Sequence, residues 1–114
     1  RWGAEETRAL LEANNQEAPL IVRPWGVVRE QLEAMLEGSG VGVSDAPLVE
    51  DSIHLAPGTV LTALGAFQQG HCFVQDPAAT LVTRYAAVPA GAEVADLCAA
   101  PGGKSVELSR TAKH

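Results

Sequence analysis

A glycine-rich turn between a predicted strand and a predicted helix is the feature that most constrains the fold of this chain. The segment VADLCAAPGGKSVELS, residues 94–109, begins with an apolar run, passes through two adjacent glycines and continues in a helix-forming pattern. Strand, glycine loop and helix in this order open a doubly wound α/β domain, whose ligand lies at the carboxyl ends of the strands. The sequence therefore predicts a strand at residues 94–98, a ligand-binding loop after it, and a helix at residues 105–112.

The loop is similar to a phosphate-binding loop but does not match its pattern. A nucleoside-triphosphate loop requires G-x-x-x-x-G-K-[ST], and counting back from Gly103 and Lys104 places its first glycine where this chain has Cys98. Small residues and free amides at a helix start favour a negative group, whereas the carboxylate of Asp96 suits an ammonium group. The local pattern thus favours a zwitterionic ligand and leaves a nucleotide-binding ATPase or kinase as an alternative.

The first 56 residues predict a small α+β unit with helices on one face of a sheet, and further elements follow before the loop. Helical spacing of apolar residues marks residues 4–13 and 28–37, and alternating or continuous apolar runs bounded by turn residues mark strands. The predicted strands are PLIVR, VGVSDAPL, DSIHLAPG and CFVQD, and a further helix begins at Pro77 in PAATLVTRYA. Residues 59–67 fit neither pattern clearly.

Composition sets limits on compartment and partners. The chain has 114 residues, long enough for one compact domain plus a remainder, and a net charge of −6. Residues 1–55 hold ten carboxylates against four basic groups, so charge gives no independent sign of nucleic-acid binding. No apolar run approaches the roughly 20 residues of a membrane span, and Cys72 and Cys98 form no C-x-x-C pair. We therefore expect a cytoplasmic protein with reduced thiols, no metal site and no membrane partner.

Several segments resemble one family of RNA-modifying enzymes. DLCAAPGGK, residues 96–104, resembles motif I, the S-adenosyl-L-methionine (AdoMet) binding motif of the RsmB/Sun-type (NOL/NOP/Sun family) rRNA (cytosine-5)-methyltransferases. RALLEANN, VREQLEAMLEGSGV and ALGAFQQGHCFVQDPAATLV are similar to upstream segments of the same family. The resemblance covers nearly all of the chain.

The resemblance implies both an architecture and an activity. The implied fold class is α+β: a small RRM-like (ferredoxin-like) N-terminal domain followed by the truncated start of a Rossmann-like α/β methyltransferase domain. The corresponding ranges are a leading helix and linker at 1–18, the RRM-like domain at 19–70 and the incomplete methyltransferase domain at 71–114. The implied activity is methyl transfer from AdoMet to C5 of a cytosine in 16S-type ribosomal RNA, which makes ribosomal RNA the expected partner.

The resemblance also assigns the cofactor-binding residues. Residues carried over from motif I would line the methionine end of AdoMet: Cys98, Ala99, Ala100, Pro101, Gly102, Gly103 and Lys104. Loop amides and Lys104 would face the ligand carboxylate, and Pro101 would stiffen the turn. Asp96 would lie near the ligand amino group or support the loop.

The chain departs from the family pattern at two points. An Arg-x-Asn expected in the first strand is replaced, because Arg23 is followed by Pro24 and Trp25. The family's cysteines after a proline and after a threonine are absent, although attack on cytosine C6 requires a thiolate. We therefore predict no catalytic residue in this chain, which would be an inactive part of a longer enzyme. A non-catalytic RNA-binding module is the second alternative.

Other reactive or aromatic side chains receive structural interpretations. Cys72 is expected to be a small buried residue, because it and the adjacent His71 would point to opposite faces of a strand. By the same alternation, His54 would face away from its two apolar neighbours, toward solvent. Trp2 and Trp25 are expected to pack in the core or at a domain edge rather than to stack on RNA bases.

Overall fold

The computed structural model describes residues 2–112 and contains helices on both faces of one sheet. The elements in chain order are α1 Ala4–Asn14, β1 Ile21–Pro24, α2 Arg29–Gly38, β2 Val43–Asp45, β3 Ile53–Leu55, a 3₁₀ turn Leu61–Ala63, α3 Gly65–Gln68, β4 Cys72–Val74, α4 Pro77–Tyr85 and α5 Gly103–Ser109. The helices predicted near residues 4–13, 28–37 and 77–86 are confirmed, and each of the first four predicted strand segments contains an observed strand.

The four strands form one antiparallel sheet in the order β2-β3-β1-β4. Strand β1 pairs with β3 through Val22 and Ile53 and with β4 through Arg23 and Phe73. The chain thus runs β1-α2-β2-β3-α3-β4, and its last strand returns beside its first. Strand β4 lies in this sheet, although the predicted domain boundary at residue 70 placed it in the following unit. The boundaries themselves stay a prediction.

One face of the sheet carries the apolar core. Leu32 and Leu36, four residues apart on α2, are fully buried because this spacing places them on the same helix face. They pack with strand residues and the short α3 in a cluster of Val22, Leu32, Leu36, Ile53, Leu55, Leu64, Ala66 and Cys72. The helix ends at Gly38, followed by Gly40 with φ of 77°, a conformation that favours glycine.

Helices α4 and α5 cover part of the opposite face, near β1 and β4. Helix α4 begins because Asp76 accepts a hydrogen bond from the Ala78 N–H at 2.7 Å and Pro77 occupies the first helical position. Arg23, adjacent to the core residue Val22, points to this second face and contacts α4 and α5. The helices on this second face both follow β4 and so lie beyond the first 56 residues, for which helices on one face of the sheet were predicted.

The strand predicted at residues 94–98 does not form. Residues 94–96 have no regular structure, residues 97 and 98 form a turn, and Leu97 is 95% exposed. A strand requires a neighbour to pair its backbone groups, and within residues 2–112 the only sheet is the four-stranded one already described. The helix predicted at 105–112 is present but shifted, as α5 begins at Gly103.

Candidate functional site

The loop between residues 96 and 104 is held by one carboxylate. Asp96 accepts a hydrogen bond from the Cys98 N–H at 2.9 Å and another from the Ser105 hydroxyl at 2.7 Å. These two bonds join the start of the loop to the first turn of α5. Of the two roles expected for Asp96, the structure therefore shows loop support directly.

The same contacts keep Asp96 ionised. The hydrogen bond from the Ser105 hydroxyl lowers the pKa of the Asp96 carboxyl, and the Cys98 amide and the positive charge of Lys104 act in the same direction. A carboxylate that accepts hydrogen bonds is stabilised in its charged form. The loop thus carries a fixed negative charge at neutral pH, next to an exposed lysine.

The two adjacent glycines of the loop differ in backbone conformation. Gly102 adopts a φ of 113°, outside the range that residues with a Cβ normally accept, and its carbonyl accepts the Val106 N–H at 2.8 Å. Gly103 has no positive φ, but a Cβ there would lie 3.5 Å from Nε2 of Gln75. Gly102 therefore permits the turn, whereas an added Cβ at Gly103 would make only ordinary van der Waals contact with the Gln75 side chain.

The loop and the start of α4 enclose a small cavity. Its volume is about 160 Å³, and five of the predicted site residues line it with the VQD segment, which begins at the last residue of β4: Ala99, Ala100, Pro101, Gly103 and Lys104. Cys98 instead lines a second cavity of about 340 Å³ on the α4 side, which Lys104 also borders. Gly102 lines neither cavity. The structure thus brings most of the predicted residues together and separates Cys98 from them.

A buried arginine beside this cavity was missed by sequence reasoning. The Arg23 side chain has 0% exposure, and its guanidinium lies 2.5 Å from Asp51 and 2.5 Å from Glu107. It also donates to the side-chain oxygens of Gln75 at 3.0 Å and Thr80 at 3.3 Å. Because these bonds hold it inside the protein, Arg23 is not available to contact RNA. The one sequence feature that could have indicated a buried arginine is the single charged residue in the apolar run PLIVR.

The Arg23 network joins four parts of the chain. Glu107, on α5, also contacts Arg84 of α4 at 3.5 Å and Arg110 at 2.9 Å. Asp51 contacts Arg84 at 3.0 Å. Partial burial raises the pKa of the Asp51 carboxyl, but the Arg23 and Arg84 guanidinium groups outweigh that effect and hold the pKa below its ordinary value. The network therefore ties the sheet to both helices that border the loop.

Aromatic residues add to the contact between the sheet and the residues after α5, at the edge of the sheet. The Trp25 and Phe73 rings meet edge to face with centroids 6.2 Å apart, and the Arg110 guanidinium lies 5.4 Å from the Trp25 centroid. Arg110 also donates to the Pro24 carbonyl at 2.7 Å. The expectation of edge packing is confirmed for Trp25, whereas Trp2 is 64% exposed.

The two cysteines have different surroundings. Cys72 is buried in the core, and burial raises the pKa of its thiol, as expected for a small apolar residue. Cys98 is exposed in the loop. Between residues 2 and 112, no cluster of three or more side chains could hold a metal ion. None of the helices described there has the length and hydropathy of a transmembrane span.

Comparison with known proteins identifies relatives of the chain. It is 35% identical over 106 residues to ribosomal RNA small subunit methyltransferase B of Vibrio cholerae, which covers 91% of this chain and 24% of the relative. The protein of the same name from Klebsiella pneumoniae is 34% identical over 110 residues, covering 95% and 26%. The chain thus spans about a quarter of the length of these relatives. No protein-family model matches it.

A solved structure shares the fold. The crystal structure of PH0851 matches with a TM-score of 0.78 and 26% identity, over 95% of this chain and 25% of that one. The resemblance to RsmB/Sun-type rRNA methyltransferases is confirmed by the curated relatives, and the nucleotide-binding alternative is not favoured.

Proposed function

From this relationship, we propose that the chain supplies the small RNA-side domain and the first AdoMet loop of an rRNA (cytosine-5)-methyltransferase. The observation that carries the proposal is the DLCAAPGGK loop within a chain that is 35% identical to an rRNA small subunit methyltransferase over 91% of its length. The chain covers only 24% of that relative, so the activity is proposed for the complete protein. A cytoplasmic location, where ribosomal RNA is available in bacteria, is part of the same proposal.

The loop residues fit the amino-acid end of AdoMet. Alanines and glycines leave room for close backbone approach, Lys104 offers a positive charge to a carboxylate, and Asp96 fixes the loop from its other side. We assign this role to Cys98, Ala99, Ala100, Pro101, Gly102, Gly103 and Lys104. AdoMet would supply an activated methyl group, and these residues would hold and orient its amino-acid tail.

We further propose that β1 to β4 form an RRM-like domain that contacts RNA. The support is the β-α-β-β-α-β order with the sheet order β2-β3-β1-β4, which is the arrangement of ferredoxin-like units. Ser44 of β2 and His54 of β3 lie side by side, 3.4 Å apart, on the part of the second face that these two strands form. This area is the candidate RNA surface.

The nucleophilic thiolate of the reaction would come from outside these 114 residues. The Cys72 thiol is buried with a raised pKa, which disfavours the thiolate that attack on cytosine C6 requires. Cys98 lies in the loop assigned to the cofactor. In the complete protein, Cys72→Ser should therefore retain methyl transfer, and loss of all activity in a well-folded Cys72→Ser variant would contradict this assignment.

Binding and methylation assays test the proposal. The complete protein should bind AdoMet in calorimetric titration, should not bind Mg-ATP, and should transfer labelled methyl groups to 16S-type rRNA at a cytosine C5 detected by bisulfite sequencing. Gly102→Ala should weaken AdoMet binding, whereas Gly58→Ala, at a turn with a comparable φ of 80°, should not. Binding of Mg-ATP in place of AdoMet would reverse the proposal.

A further inference from the structure

The Gln75 side chain, at the end of β4, is buried with only one end of its carboxamide satisfied. Gln75 is 4% exposed. Its Oε1 accepts hydrogen bonds from the Arg23 guanidinium at 3.0 Å and the Thr80 hydroxyl at 2.9 Å. Because a guanidinium can only donate, Arg23 must face the oxygen, and the orientation of the carboxamide is fixed.

The opposite end of the carboxamide faces the loop. Nε2 of Gln75 has no hydrogen-bond partner among the described residues. It is the atom nearest to the position of a Cβ on Gly103, at 3.5 Å, and Gln75 lines the cavity of about 160 Å³ with the loop. A buried donor without a partner is destabilising, and an acceptor that entered this cavity would satisfy it.

We propose that Gln75 is a further ligand-binding residue, whose Nε2 donates a hydrogen bond to a carboxylate oxygen of the AdoMet amino-acid tail. The inference rests on the proposed function and adds a contact from outside the glycine loop. The donor requires an acceptor, and the positive charge of Lys104 borders the same cavity. The carboxylate of Asp76, also at its edge, accepts the Ala78 N–H at the start of α4 and keeps its negative charge, which would suit the ammonium group of the same amino-acid tail.

The size of the cavity agrees with one end of a ligand. Pockets that enclose a whole drug-sized molecule measure roughly 300–1,000 Å³, whereas this cavity measures about 160 Å³. It suits a carboxylate and its neighbouring carbons, and the nucleoside would lie elsewhere. Gln75 would thus bind the carboxylate, the group that distinguishes AdoMet from its decarboxylated form.

Two ligands and two variants test the inference in the complete protein. Gln75→Glu keeps an acceptor for Arg23 and Thr80 and replaces the Nε2 donor by an oxygen. Calorimetry should show a loss of AdoMet affinity of about tenfold or more, with a change below about threefold for decarboxylated AdoMet, which lacks only the carboxylate. Thr80→Val removes the hydroxyl bonded to Oε1 but leaves Nε2, so it should change neither affinity by more than about threefold.

The outcomes separate the two proposals. Failure of the wild-type protein to bind AdoMet overturns the proposed function and this inference with it. Wild-type binding with unchanged affinity in Gln75→Glu, or with equal losses for both ligands, overturns the inference alone. If Gln75→Glu does not fold, NMR of glutamine-labelled wild-type protein provides the test. The side-chain amide resonance of Gln75 should shift on addition of AdoMet and not on addition of decarboxylated AdoMet. Equal shifts with the two ligands would contradict the inference.

Discussion

The two faces of the sheet are held by opposite kinds of interaction. Under α2, fully buried leucines and isoleucine pack without polar groups. On the face toward α4 and α5, Arg23 is equally buried but is surrounded by two carboxylates, an amide and a hydroxyl. Apolar packing tolerates modest changes of shape, whereas a buried charge requires each of its partners. The charged face therefore depends on correct placement of α4 and α5, and the apolar face does not.

Removal of the buried guanidinium should give the largest effect. Arg23→Met leaves Asp51 and Glu107 without their central partner, and breaking a buried ion pair in this way costs about 3–5 kcal/mol of the free energy of unfolding. Urea unfolding measures the change. Arg29→Met is the matched control, because Arg29 also pairs with carboxylates but is 21% exposed, and exposed pairs contribute about 0–1 kcal/mol. Equal losses of unfolding free energy in the two variants would contradict the proposed difference between the two faces.

Truncation in the apolar core should come next. Leu36→Ala removes a fully buried side chain and should cost about 3 kcal/mol through lost burial and the cavity that remains. Met35→Ala, on the same helix but 38% exposed, should cost much less. The same urea experiment compares them, and a smaller loss for Leu36→Ala than for Met35→Ala would contradict the assigned core.

Acid should weaken the charged face selectively. The pKa of Asp51 is lowered in the folded protein, so its contribution to stability is complete above the ordinary value of 3.8 and is lost as pH falls through the lower folded value. The urea midpoint of the wild-type protein should fall below about pH 4. Asp51→Asn should make the urea midpoint depend less on pH in this range, whereas Glu37→Gln, on the exposed side of α2, should leave that dependence unchanged.

The smallest effect should be local to the loop. Asp96→Ala removes the acceptor of the Cys98 amide and the Ser105 hydroxyl, so amide exchange at Cys98 should become faster while exchange in α2 stays unchanged. Hydrogen exchange followed by NMR measures both. Exchange at residues 94–102 should already be faster than in α2 in the wild-type protein, since this segment lacks ladder hydrogen bonds.

Local patterns predicted most of the elements on the apolar face. Helix α2 follows from the spacing of Leu32 and Leu36, and strands β1 and β3 follow from the short apolar runs around Val22 and Ile53. Each of these patterns extends over only a few neighbouring residues. The glycine loop was also found from local sequence, since Gly102 occupies a backbone conformation that requires glycine. The prediction of a strand at residues 94–98 was wrong, because a strand must pair with a second strand that can lie far away in the sequence.

The sequence by itself determined the helices, most of the strands, the glycine turn and the family resemblance, because each depends on residues close together in the chain. Only the tertiary structure decided that Arg23 is buried between residues 51 and 107 and that Gln75 turns an unpaired donor toward Gly103. These contacts join residues 28 to 84 positions apart. A buried charge or amide is stable only when the fold brings distant partners to it, and no local pattern records that pairing.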